Sequence, residues 1–296
     1  MKPLSFTVSE PTGLLEFLLA ALPNKSRTTV KSYLSRRQVR VNRLVVTQFD
    51  ARLKPGDRVE ISAEKGKTEF RHPMMRLVYE DDALVVIDKK YGLLSIATDK
   101  IIGKTAYHIL SEYVKREDPR NRIFVLHRLD RETSGLMLFA KSEAVQQRMQ
   151  ADWKAVVTER KYYAVVEGQM AQPEGTITSY LTENKVFKVY ATTPEEGREA
   201  VLAYNTLKSA GDYSLLEIEL ETGRKNQIRA QLESVGHPIA GDKKYGAQSN
   251  PVGRVALHAG KIAFIHPATG EEFAFESPLP YKFHALFDRK GGRRRE

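Results

Sequence analysis

The chain has 296 residues, 41% of them apolar and none of them cysteine, with a formal net charge of +10. This is enough apolar material for one large domain and a smaller one, and the lack of cysteine excludes a disulfide framework or a thiolate metal site and suits a reducing cytoplasm. The longest apolar stretch near the start, residues 14–22, is broken by Glu16 and far shorter than a membrane span, no secretory or transit signal is read, and the seven histidines show no zinc-ligand spacing, so no metal is expected. Charge is unevenly placed. Residues 1–75 carry fourteen Lys and Arg against seven Asp and Glu, residues 289–296 carry five against one, and the rest is close to neutral. Basic ends on a neutral body suit a polyanionic partner, nucleic acid above all, although a short basic tail is also simply a solvated terminus.

In chain order, Leu14, Leu15, Phe17, Leu18, Ala21 and Leu22 have helical spacing up to Pro23, and Ser26 is placed to cap a second helix running to Leu34. Arg27 and Lys31 lie one turn apart on that helix. Alternating Val39 and Val41, an Asn42-Arg43 turn, Leu44 to Val46 and a Pro55-Gly56 turn before Val59 to Ile61 predict short strands. Arg36, Arg37, Arg40 and Arg43 gather where the second helix meets the first hairpin, a cluster suited to phosphate contacts. Ser26-Arg27, Arg36-Arg37, Val39-Arg40-Val41-Asn42 and Lys54-Pro55-Gly56-Asp57-Arg58-Val59 together resemble the S-four-like RNA-binding domain of the small ribosomal subunit, over about residues 12–62. The expected organisation is a small basic RNA-binding domain at 1–66, a linker at 67–76, a catalytic domain at 77–288 and a basic tail at 289–296.

From Leu77 onward the chain is rich in β-forming residues, with strands expected at 77–79, 83–87, 162–166, 177–181, 200–207, 213–220, 255–257, 263–265 and 273–275. Helices are expected at 104–114, after a Ser142 cap, and at 226–235; the apolar stripe Val145, Met149, Trp153 and Val156 is assigned to the core. The order is mixed rather than strictly alternating, so the fold class is α+β with a mixed, largely antiparallel sheet. Between Ile123–Leu126 and Leu136–Ala140 lies His127-Arg128-Leu129-Asp130-Arg131-Glu132-Thr133-Ser134-Gly135. It reads as strand, connection, strand, with Ser134-Gly135 as turn chemistry. Taken alone it is equally an active-site loop or a charged hairpin in which Asp130 and Ser134 bond only local backbone.

Three more clusters follow: Arg160-Lys161-Tyr162-Tyr163-Ala164, whose adjacent tyrosines must face opposite sides of a strand; Thr222-Gly223-Arg224-Lys225-Asn226-Gln227-Ile228-Arg229 at a strand-to-helix junction; and Gly236-His237-Pro238 with Gly241-Asp242 and Tyr245-Gly246, a glycine-punctuated loop. In this order, with His127-Arg128-Leu129-Asp130 and Thr133-Ser134-Gly135 before them and Leu257-His258-Ala259 and His266-Pro267 after them, they resemble the motifs of the RluA-type RNA pseudouridine synthases over about residues 77–281. Asn226 and Gln231 stand where the family usually has histidine, and Lys90 where proline is usual.

That resemblance implies an isomerase that breaks the N1 glycosidic bond of a uridine, turns the uracil and rejoins it through C5. No cofactor is implied. It assigns Asp130 as nucleophile or base, Tyr162 as the residue stacking on the uracil, and Arg229 as the guanidinium that favours the ionised carboxylate. Arg128 would fill the stack vacated by a flipped base or hold a phosphate, and Arg224 and Gln227 would contact substrate. Arg27, Lys31, Arg36, Arg37, Arg40 and Arg43 would hold RNA. Large-subunit ribosomal RNA is favoured over transfer RNA, acting in the cytoplasm as a monomer. The other readings are a non-catalytic RNA-binding or ribosome-assembly protein on the same fold, a transfer-RNA-specific synthase, and a glycoside hydrolase, which would need a second well-placed acid.

Overall fold

The structure is a computed structural model that describes residues 4–36, 38–42, 44–62, 70–97 and 103–288; Arg37, Arg43, the tail at 289–296 and part of the expected linker lie outside the described residues. It divides into two compact units, Met1–Phe70 with Arg116–Pro119, and Arg71–Lys115 with Arg120–Glu296.

The first unit contains β1 (Leu4–Thr7), β2 (Thr12–Gly13), α1 (Leu14–Ala21), α2 (Arg27–Ser35), β3 (Val39–Val41), β4 (Leu44–Val45), β5 (Arg52–Leu53) and β6 (Arg58–Ile61). Four strands form an antiparallel sheet in the order β1-β6-β3-β4. Leu14 and Leu18 of α1 and Val30 and Leu34 of α2, each pair four residues apart, point into one core with Val39, Leu53, Val59 and Ile61. Ser26 caps α2 through a bond from Thr29 N–H at 3.2 Å. Asn42 takes the left-handed conformation its short amide tolerates, at φ 50°, and bonds both Asp57 Oδ1 and Arg58 N–H, so the turn before β6 is tied to the first hairpin. Arg27 lines a hollow of about 530 Å³ with Phe49 and Arg52, Lys31 Nζ lies 5.6 Å from the Phe49 ring centre, and Arg36 and Arg40 are exposed.

The second unit contains β7 (Met75–Glu80), β8 (Leu84–Lys89), α3 (Ala106–Lys115), β9 (Phe124–Val125), β10 (Ser134–Ala140), α4 (Glu143–Ala151), α5 (Trp153–Val156), β11 (Glu159–Glu167), β12 (Glu174–Glu183), β13 (Val189–Thr192), β14 (Arg198–Ala210), β15 (Tyr213–Leu220), α6 (Gln227–Ser234), β16 (Leu257–Ile265), β17 (Glu272–Glu276) and α7 (Tyr281–Asp288). Its eleven strands form one sheet along the path β13-β12-β14-β15-β11-β16-β10-β8-β7, with β17 added on β16 and β9 on β10. Every named strand pairing is antiparallel except β10 with β16, so the sheet is mixed and largely antiparallel, as the pattern predicts.

All seven residues of β10 are buried, as are five of the six in β8, which is why both read as near-continuous apolar runs. Leu84, Val86, Leu136, Leu138 and Phe264 pack with Met149, Val145, Trp153 and Val156. The stripe assigned to core is therefore core, although its helix breaks at Asp152, whose carboxylate accepts from Ala155 N–H.

Several elements differ from expectation. Ser134 and Gly135 are not a turn: they open β10 and lie parallel to His258 and Ala259. The backbones approach so closely there that a Cβ on Gly135, at φ +116°, would sit 2.1 Å from the Ala259 carbonyl oxygen. β9 meets β10 only at its far end, Val125 opposite Phe139, so residues 126–133 form a wide loop and not a tight hairpin. The strands expected at 255–257 and 263–265 are one, β16, carried through Gly260, where the Tyr163 ring takes the space of a side chain. β7 begins at Met75, two residues before the expected domain start, and β13 was not expected. Among the described residues no helix is long and apolar enough to cross a membrane.

Candidate active site

The loop 126–133 is held by the segment that follows β8. Lys89 is fully buried and its ammonium donates to the carbonyls of Thr133 at 2.6 Å, Leu93 at 2.8 Å and Lys90 at 3.2 Å. Burial brings its pKa down to about 7, against the opposite pull of Asp130 and Glu132. Ser95 Oγ donates to Leu129 C=O at 2.6 Å and accepts from Leu129 N–H at 3.1 Å, and Gly92 N–H donates to Arg131 C=O at 2.7 Å. The residues on both sides of Asp130 are thus pinned by their main chain, and Thr133 N–H closes the turn on Asp130 C=O.

His127 is part of this frame. Its Nε2 accepts from Leu138 N–H at 3.0 Å, its ring lies 5.6 Å from Trp153, and burial pushes its pKa down to about 3, so it is the neutral acceptor that this bond requires. Ser134 Oγ lies 2.9 Å from His258 Nδ1 and accepts from Arg254 at 2.8 Å; burial lowers the His258 pKa to about 4.

The Asp130 side chain is one-fifth exposed, at 21%. A carboxylate only accepts hydrogen bonds, so the Asn226 amide is assigned with its nitrogen toward it, 2.6 Å from Oδ2 and 3.0 Å from Oδ1. The amide oxygen then accepts from the Tyr245 hydroxyl at 3.0 Å. Asn226 can do this because it stands just outside α6 in the left-handed region, at φ 49°, which aims its side chain back at the loop.

Arg229 is farther from Asp130, with Nη1 3.5 Å from Oδ2. Its Nε and Nη2 form a bidentate pair with Asp242 at 2.6 and 2.8 Å, and its guanidinium lies 4.8 Å from the Tyr245 ring centre. Burial opposes that charge, but Asp242, with Asp130 and Tyr245 adding to it, outweighs burial and raises the Arg229 pKa. Asp242 is 1% exposed, so it is the counterion that allows a cation to sit beneath the carboxylate.

Asp130 opens onto a cavity of about 60 Å³ lined by Arg128, Tyr162, Arg224, Asn226, Gln227 and Arg229, among others. This adjoins a groove of about 520 Å³ that shares Arg128, Asp130, Tyr162 and Arg224 and continues along Trp153, Lys154, Arg160 and Lys225. Tyr162 is 8% exposed, and burial, with the Asp130 charge adding to it, raises its phenol pKa. It lines the cavity, and its hydroxyl makes no hydrogen bond to another described residue. A pocket that pairs a donor-stabilised carboxylate with an aromatic lid and a basic rim can take a flat, uncharged ring attached to a phosphate backbone.

The comparisons with known proteins agree. Residues 83–234 match the RNA pseudouridylate synthase family. The chain belongs to the RluA-type RNA pseudouridine synthases. It is 31% identical to the uncharacterized RNA pseudouridine synthase YlyB of Bacillus subtilis over 304 residues, covering 99% of this chain and all of that protein. It is 29% identical to the ribosomal large subunit pseudouridine synthase D of Haemophilus influenzae, covering 93% of this chain and 90% of that one. Among solved structures, human RNA pseudouridylate synthase domain containing 4 superposes with a TM-score of 0.58 at 25% identity, over 71% of this chain and 92% of that one. As a pseudouridine synthase, the chain is an isomerase acting on RNA uridines.

In this synthase the sequence-predicted residues Asp130, Tyr162, Arg229, Arg128, Arg224 and Gln227 all line one cavity. They do not all present free polar groups to it. Gln227 is 2% exposed, its Oε1 accepts from Thr222 Oγ1 and Arg224 N–H, and its Nε2 donates to Val201 C=O, which makes it a brace for the β15–α6 junction. Arg224 Nε donates to Glu199 C=O, while Arg128 is exposed and makes no hydrogen bond to another described residue. Three residues of the site escaped sequence reasoning: Asn226, noticed only as a departure from the family pattern, and Asp242 and Tyr245, quoted within a motif without a role. Asn226→Gly keeps the left-handed backbone free of strain and removes only the amide. Losing hydrogen bonds to a charged group costs about 1.5–3 kcal/mol, so kcat should fall about tenfold or more with RNA affinity unchanged; kcat equal to wild type in steady-state assays would show that the amide does not serve the carboxylate.

Proposed function

We propose that Asp130 is the catalytic carboxylate of this synthase and that its substrate is structured RNA of the large ribosomal subunit, which places its action in the cytoplasm. The observation that carries this reading is Asp130 itself: a partly buried carboxylate whose loop is clamped on both sides, whose oxygens face the Asn226 amide and Arg229, and whose cavity is lined by Tyr162. One carboxylate is enough because the reaction gains and loses no atoms. Asp130 acts as nucleophile or base in breaking the bond between uracil N1 and the ribose C1′, which C5 then takes over as it gives up its proton and N1 gains one; Tyr162 stacks on the ring, and Arg229 keeps positive charge under the carboxylate. The small cavity has no room for a helix, so the uridine arrives flipped out of its stack, with Arg128 at the mouth to fill the gap or hold a phosphate. Arg224 takes a neighbouring phosphate, and the groove along Lys154, Arg160 and Lys225 carries the strand.

The preference for ribosomal RNA draws on the similarity to a protein named for the large ribosomal subunit. Mapping pseudouridines in total RNA from cells with and without the gene tests it: the expected result is loss of one or more sites in large-subunit RNA, and losses confined to transfer RNA would overturn it.

The basic module at residues 1–66 adds affinity through phosphate contacts by Arg27, Lys31, Arg36 and Arg40, with Arg37 and Arg43 beside them in sequence. Neutralising Arg27, Lys31 and Arg40 together to Gln should weaken RNA binding and reduce the slope of log affinity against log salt by roughly two to three. An unchanged slope in a binding titration would remove the module from the RNA interface.

A further inference from the structure

The tightest turn in the β12–β13 hairpin presents two large apolar residues to water. Val186 is 74% and Phe187 69% exposed, and Phe187 has φ 58°, a left-handed conformation that is a steric outlier for a bulky side chain. The loop is rigidly made despite this cost. Asn184 Oδ1 accepts from both Val186 and Lys188 N–H, Phe187 N–H donates to Asn184 C=O, and Lys244 Nζ donates to Phe187 C=O at 2.7 Å. Strain held in an exposed apolar tip by this many polar contacts points to use and not to packing.

The surroundings are cationic and lead to the reaction centre. Lys225 Nζ lies 5.4 Å from the Phe187 ring centre, and Lys225 also lines the groove that contains Asp130, Arg128 and Arg224. Lys185 and Lys244 are exposed and have no carboxylate partner among the described residues; of the acids nearby, Glu183 pairs with Lys225 and Glu233 with Lys188. The base of the hairpin is fixed to the site through Tyr245, whose hydroxyl accepts from Val189 N–H while bonding the Asn226 amide that holds Asp130. The tip therefore stands at a set position relative to the carboxylate, at the end of a basic groove.

We propose that the Val186–Phe187 tip is a stacking platform for an unpaired nucleobase of the RNA substrate, a neighbour of the target uridine, with Lys185, Lys225 and Lys244 holding its phosphates. Every base has a π-face, so an exposed aromatic ring ringed by lysines takes single-stranded RNA without regard to sequence. A paired helix offers such a ring no free base face. The proposal rests on RNA being the substrate that enters this groove, but not on the role given to Asp130.

The test uses Phe187→Asn and Phe187→Trp in the full chain, with two fluorescein-labelled RNAs: a hairpin with a single-stranded loop and a blunt duplex of the same length. Asn suits the left-handed backbone, so the variant should melt at a higher temperature than wild type while binding the looped RNA about tenfold more weakly; Trp should restore that affinity, and duplex binding should be unchanged in both. A lower melting temperature for Phe187→Asn would make Phe187 a packing residue. Unchanged affinity for the looped RNA, or an equal loss for loop and duplex, would also overturn the platform. Because the readouts are binding and melting, failure of the Asp130 assignment leaves them unaffected.

Discussion

A carboxylate that is four-fifths covered needs donors, and the geometry around Asp130 is arranged to supply them from a frame that cannot drift. Buried Lys89 directs its ammonium to three main-chain carbonyls, one of them in the loop 126–133, and Ser95 bonds both backbone groups of Leu129. Buried donors with no slack fix the loop more tightly than any apolar contact, since moving it would strand polar groups away from water. Gly135 completes the frame by letting β10 lie directly against β16.

On that frame the two donors to Asp130 have different tasks. Arg229 is held by Asp242 in a buried bidentate pair, so its charge lies under the carboxylate while its best hydrogen bonds go elsewhere. Asn226 makes the short contacts, and Tyr245 keeps its amide turned the right way. A neutral amide delivers hydrogen bonds without a second buried charge to balance, and it does not titrate. The same tyrosine anchors β13, which ties the hairpin tip to the surroundings of Asp130.

Much of this was legible in the sequence. The α+β class followed from the mixed order of strands and helices, the capping role of Ser26 and Ser142 from their positions before apolar-periodic runs, and the convergence of Asp130, Tyr162, Arg224 and Arg229 from ordered motifs resembling one family. His127, at the head of the same motif, is part of the frame, as its bond from Leu138 N–H shows. What escaped was information that exists only in three dimensions. Ser134-Gly135 has turn composition, but Gly135 is a close-approach glycine within a sheet, and no local pattern separates the two. Asp242 reads as a loop acid because burial and pairing are made by a helix thirteen residues away. The left-handed backbone of Asn226 and Phe187 leaves a trace in the first case, since Asn favours it, and none in the second.

The central claim is that Asp130, and no other acid of the site, performs the chemistry. Asp130→Asn is close to isosteric and keeps the loop clasp, so the measurement is RNA affinity and single-turnover pseudouridine formation on the same preparation. The account predicts affinity within about twofold of wild type, since the substitution removes no phosphate contact, and no detectable product. Pseudouridine forming at the wild-type rate would contradict it.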